Sequence, residues 1–249
     1  MLKNKPIIRC LLRGLAATAI IISSVVGYGA WKVAYHVPDI DPTPLPAALV
    51  DAHSPAGEAL LASSTYKADY ASIADNFESQ SRMAYCGVAS SVIVLNALHH
   101  EQPQQSRLTQ KTFFTDQTRQ VMGQLDVAFG GMTLAQNGEL LRAHGLEVTV
   151  THAADSTLDN FRAIVQLNLV TAGDYVLVNY SRKPLGQDGG GHFSPLGAYD
   201  AASDRVLIMD VTAYNYPPTW VPMKLMWDAM NTIDSSSRLT RGFVVVRAH

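Results

Sequence analysis

Gln80-Ser-Arg-Met-Ala-Tyr-Cys86-Gly-Val-Ala-Ser-Ser-Val-Ile-Val-Leu-Asn-Ala-Leu98 sets the fold class, because a polar loop turns into an uninterrupted apolar run at a single cysteine. Gly87 to Leu98 has helical periodicity, so Cys86 occupies the first turn of a helix whose unpaired backbone N–H groups point at its sulfur. That position favours the thiolate, and a neighbouring imidazolium would lower the thiol's pKa further. Gly87 leaves room for a substrate carbonyl near the backbone, and the small residues Ala89, Ser90 and Ser91 allow close packing on a sheet. Taken alone, Cys86 could equally be an inert thiol opening a core helix. Gln80, six residues upstream, is placed to fold its amide across the helix start and complete an oxyanion hole with the Cys86 N–H.

Outward from this segment, weaker helices are expected at 108–122, 133–143, 157–167 and 222–231. Strand patterns follow at 146–152, 174–181, 192–199, 205–211 and 242–248, with Asp200–Asp204 as a hairpin loop. Helices first and an antiparallel sheet afterwards is an α+β pattern, with the natural cleft between the two layers.

His192 is the most informative of the eight histidines, since it opens a strand after Gly189, Gly190 and Gly191. Those glycines permit a loop over the site and close approach of substrate. Asp210 ends the following strand, and in a hairpin its carboxylate lies where it can orient the imidazole. His99, His100, His144 and His152 sit at helix or strand ends and show no HxxxH or CxxC spacing, so no metal site is expected.

The N-terminus differs from the body. Lys3, Lys5, Arg9 and Arg13 precede Gly14–Trp31, an uncharged stretch near the minimum length for spanning a bilayer. An uncleaved anchor and a cleaved signal both fit, and both export the body. The expected division is an anchor at 1–36, a linker at 37–46 with four prolines, and a catalytic domain at 47–249. Only two cysteines exist, Cys10 and Cys86, and the membrane or signal removal separates them, so no intrachain disulfide is expected. A net charge of −2 without a basic run leaves no footprint for nucleic acid.

Read together, Q-x5-CGVASSVIVLNAL and GGGHFSPL-x-AY-x10-D resemble the papain-like cysteine peptidase clan, and the block from Asn179 to Val246 narrows the resemblance to the phytochelatin synthase family over about Tyr66 to Arg247. The resemblance implies a papain-like fold and attack by Cys86 on the Cys–Gly bond of glutathione. His192 would protonate the leaving amine, Asp210 would orient His192, and Gln80 would serve the oxyanion. The γ-glutamylcysteinyl thioester would pass to water or to a second glutathione, giving a phytochelatin. Asp234 and Arg241 match family positions that hold the amino and carboxylate groups of the γ-glutamyl moiety, with Arg182 and Gly191 as further substrate-site candidates. No protein-bound cofactor is implied, with cadmium or zinc entering as glutathione complexes. The chain closes at His249 without the cysteine-rich region of plant and fungal members, so the expectation is the short bacterial type, chiefly a hydrolase. It would face the periplasm from the inner membrane, or be secreted there, with homodimerisation admitted. Two alternatives are an export-linked cysteine peptidase acting on longer peptides and an inactive membrane-tethered binding protein.

Overall fold

The structure is a computed structural model that describes residues 5–36, 39, 41–99 and 107–248. Helix α1 (Lys5–Tyr35) is followed by β1 (Val50–Asp51), α2 (Pro55–Ser63), α3 (Tyr70–Asp75), α4 (Cys86–His99), α5 (Asp116–Val121), α6 (Gln124–Gly130) and α7 (Leu134–Ala143). Then come β2 (Glu147–His152), α8 (Leu158–Val170), β3 (Asp174–Ser181), β4 (Gly191–Asp200), β5 (Arg205–Ile208), β6 (Thr219–Pro222), α9 (Met223–Met230) and β7 (Gly242–Arg247). The seven strands form one antiparallel sheet in the order β1-β6-β5-β4-β3-β7-β2.

The sheet is apolar on both faces because its central strands carry apolar residues at both parities. Along β3, Tyr175 and Leu177 enter the core under α4, while Val176, Val178 and Tyr180 enter a second core under α8 and α9. Helices therefore cover both faces, which extends the expected α+β pairing of one helical layer with one sheet. Helix α4 is buried from Val88 to Leu95 because it has no polar stripe to present to water. It packs on β4 and β3, so its first residue, Cys86, faces the strand that begins at Gly191.

Local sequence sets several ends. Thr133 caps α7 by accepting from the Gln136 N–H, and Gln136 returns the bond to Thr133 N–H. Asn96 clamps Leu108 through two backbone bonds of 2.9 and 2.8 Å, holding 107–115 as a loop, so the helix expected over 108–122 shrinks to Asp116–Val121. Strand β5 stops at Ile208, and Asp210 lies just past its end.

The Pro-rich segment differs from a spacer. The backbone N–H of Asp41 donates to Tyr214 O at 3.0 Å and that of Thr43 to Asn215 O at 2.9 Å, so the packed body begins near residue 41. Helix α1 contains Arg13–Lys32, 20 residues apolar and long enough to cross a membrane and unburied throughout. Its far end carries stacked Tyr28 and Trp31, whose ring centroids are 6.0 Å apart. The placements expected for His100 and for residues 37, 38 and 40 lie outside the described residues, as does His249.

Candidate active site

Cys86 is half-buried at the start of α4, and the imidazole of His192, on the second residue of β4, faces it across the interface between helix and sheet. The β3–β4 register pairs Tyr180 with His192 and Ser181 with Gly191, which seats the imidazole edge-on to the Tyr180 ring at 5.6 Å. His192 Nε2 meets Asp210 Oδ1 at 2.9 Å, leaving Nδ1 for the sulfur. Asp210 is fully buried. Its Oδ1 also accepts from Thr212 N–H at 2.9 Å, Thr212 Oγ1 at 2.8 Å and Arg182 Nη2 at 2.9 Å, while Arg182 Nη1 lies 2.9 Å from Oδ2.

These contacts set the charges. Burial pushes the Cys86 thiol up, but the hydrogen bond and charge of His192, with backbone N–H groups of Phe193 and Gly87, bring it net below its ordinary value. Burial and the Arg182 charge push His192 down, and Asp210 and Cys86 outweigh them, holding it above its ordinary value. Burial opposes ionisation of Asp210, but His192 and Arg182 keep its carboxyl far below the usual range. Both shifts favour the thiolate–imidazolium pair over the neutral thiol and imidazole. With Cys86 lowered and His192 raised, kcat/KM should follow a bell whose acid limb lies below the ordinary thiol range and whose alkaline limb lies above the ordinary imidazole range. In His192→Ala, the midpoint for alkylation of Cys86 by iodoacetamide should move upward, because the hydrogen bond and the positive charge are both gone.

The triad opens on a cleft of about 480 Å³ lined by every candidate singled out in the sequence except Asp210, which is buried behind His192. Arg241, just before β7, lies with Nη2 3.6 Å from Asp234 Oδ1, and its Nη1 donates to Ile233 O at 2.8 Å. Arg241 Nε is buried without a partner among the described residues. Gly191 touches this pair: a Cβ there would stand 2.9 Å from Arg241 Nη2 and 3.1 Å from its Nε. Gly191→Ala should therefore raise KM severalfold through a displaced guanidinium, with kcat less affected, as steady-state kinetics would read. Gly189, at φ +110, holds a conformation that favours glycine.

Two candidates stand differently from their sequence reading. Arg182 is 4% exposed and spends its guanidinium on Asp210, on Gln187 Oε1 at 2.7 Å and on Thr212 Oγ1 at 2.6 Å, over the Tyr216 ring. It supports the triad from behind. Gln80 lines the cleft, but its Nε2 donates to Arg82 O and Met83 O at 2.9 Å each, and its Oε1 has no partner among the described residues.

Sequence reasoning missed Asn179, Thr212 and Tyr214. Asn179 is buried in the cleft wall and donates to His192 O at 3.1 Å, with Oδ1 unpartnered among the described residues. A lone amide inside the apolar run of β3 was the available signal. The Tyr214 phenol lies beside Gln80, and burial pushes it up to about 12. Among the described residues no group of three or more His, Cys, Asp or Glu side chains could hold a metal ion.

A family model described as phytochelatin synthase matches residues 40–243. The chain is 39% identical over 171 residues to glutathione gamma-glutamylcysteinyltransferase 3 of Lotus japonicus, covering 68% of this chain and 36% of that protein. It is 35% identical over 175 residues to glutathione gamma-glutamylcysteinyltransferase 1 of Arabidopsis thaliana (68% and 35%) and 29% identical over 178 residues to the Schizosaccharomyces pombe enzyme of that name (72% and 43%). The match thus spans well under half the length of each relative. Among solved structures, xylellain, a cysteine protease from Xylella fastidiosa, overlays at a TM-score of 0.45 and 11% identity over 86% of this chain and 92% of that one.

Proposed function

We propose, since this chain belongs to the phytochelatin synthase family, that it is a thiol acyltransferase and hydrolase acting on the Cys–Gly bond of glutathione. The observation that carries the reading is one cleft lined both by Cys86 and His192, with Asp210 behind the imidazole, and by the Asp234–Arg241 pair. An acid and a guanidinium 3.6 Å apart suit the ammonium and carboxylate of a free γ-glutamyl end, which a longer peptide chain does not offer.

In this reading the Cys86 thiolate attacks the cysteinyl carbonyl, and the oxyanion is received by the Cys86 backbone N–H and by the Gln80 amide once substrate draws it from the Arg82 and Met83 carbonyls. His192 gives its proton to the departing glycine amine as the C–N bond breaks, leaving a γ-glutamylcysteinyl thioester on Cys86. Water, deprotonated by the now neutral His192, releases γ-Glu-Cys, or the amine of a second glutathione takes the acyl group and lengthens the peptide. Asp210 keeps the imidazole oriented throughout, itself clamped by Arg182 and Thr212. Cadmium or zinc would enter as glutathione thiolate complexes, that is, as part of the substrate. Helix α1 would hold the body at a membrane, facing the periplasm. Mass spectrometry of products from the purified chain with glutathione, with and without cadmium, tests this: glycine and γ-Glu-Cys are expected, and absence of both would overturn it.

A further inference from the structure

The cleft is uneven in its chemistry. Arg241 and Asp234 make one part ionic, and buried Asn179 Oδ1 and Arg241 Nε wait there without partners among the described residues. Glutathione carries two carboxylates, and the γ-glutamyl one takes Arg241 in the reading above. Besides Arg241, the described lining has one guanidinium, Arg182, which is 4% exposed and already bonded to Asp210, Gln187 and Thr212. No unspent cationic side chain is left in that lining for the carboxylate of the leaving glycine, and Asp188 in the same wall disfavours a second anion.

What the wall offers instead is apolar. Met83 is 64% exposed and Phe129 55% exposed, both lining the cleft. Met132 carries apolar surface up to the nucleophile, since a Cβ on Gly87 would lie 2.5 Å from its sulfur. Large apolar side chains left wet at a cleft mouth gain by covering an apolar group, and thioethers adapt to its shape.

We propose that the residue departing from Cys86 is selected by apolar contact with Met83, Phe129 and Met132, and that its carboxylate goes unread. The substrate class is then γ-glutamylcysteinyl peptides and amides with a bulky apolar group after the cysteine, with or without a free C-terminal carboxylate, of which glutathione is the small member. This deepens the function proposed above and rests on it. The bond changes are those of glutathione cleavage: Sγ–C forms, C–N breaks, and the amine leaves with the His192 proton.

The test compares kcat/KM of the full chain for glutathione, its glycine ethyl ester and γ-Glu-Cys-Phe. The ester should stay within about threefold of glutathione, whereas loss of a carboxylate held by a cation would cost at least about tenfold. The phenylalanine peptide should exceed glutathione by about tenfold, and Phe129→Ala should bring that ratio down toward one. Leu125→Ala, on the same helix outside the lining, should leave the ratio in place. Cleavage of glutathione with a tenfold loss on esterification, or with the phenylalanine peptide slower than glutathione, would overturn the proposal alone. Inertness of all three substrates would overturn it together with the function beneath it.

Discussion

Cys86→Ser is expected to lower glycine release from glutathione by about a thousandfold or more, while leaving the fold in place. Serine matches cysteine closely in size, and Cys86 sits half-buried at the start of α4, so packing changes little. The chemistry changes greatly. His192, a hydrogen bond away, stabilises a thiolate, but the hydroxyl of serine is too weak an acid to be ionised by the same partner, so the activated nucleophile disappears. Removing a nucleophile from a triad that acts as a unit costs several orders of magnitude, and about a thousandfold is the lower bound. Glycine release measured by mass spectrometry decides it, and circular dichroism of the variant checks the fold. A variant that kept wild-type glycine release would show that Cys86 is an inert core thiol.

Arg182→Leu should destabilise the chain by about 3 kcal/mol and lower kcat as well. Asp210 is fully buried and Arg182 is 4% exposed, so removing the guanidinium leaves a buried carboxylate that has lost its two Arg182 contacts. The figure sits at the low end for a broken buried pair because His192 and Thr212 still bond Asp210. Arg182 also lowers the His192 pKa, so its loss should carry the alkaline limb of the pH profile further upward. Arg182→Lys retains the charge without the fork and should show a smaller loss of stability with the limb nearly in place. Denaturant midpoints of the purified protein, together with pH profiles, separate the two effects. An unchanged midpoint in Arg182→Leu would mean that the ion pair contributes nothing net.

Legibility of the site followed the range of the interactions. The start of α4 is local: a polar loop, one cysteine and an apolar run specify it within twenty residues, and a helix start alone supplies N–H groups toward the sulfur. His192 was legible from the glycines before β4, and Asp210 from the end of the next strand, because β4 and β5 are consecutive neighbours. Arg182 was read as a substrate-site candidate because its partner carboxylate, Asp210, lies 28 residues away, beyond any local pattern.

The sequence by itself determined the helix that presents Cys86, five of the seven strands and the apolar N-terminal segment, since each rests on residue types at a fixed local period, whereas β1 and β6 are too short to show one. Only the tertiary structure decided that Arg182 turns inward. The antiparallel register puts Ser181 beside Gly191 and Arg182 N–H on Gly190 O at 3.0 Å, and the β4–β5 pairing then brings Asp210, 28 residues away, under the guanidinium. Likewise only packing showed that residues 41 and 43 bond to the Tyr214–Asn215 loop and that a second helical layer covers the sheet. Such contacts depend on strand order and register, and those are fixed by the best simultaneous burial of the whole chain.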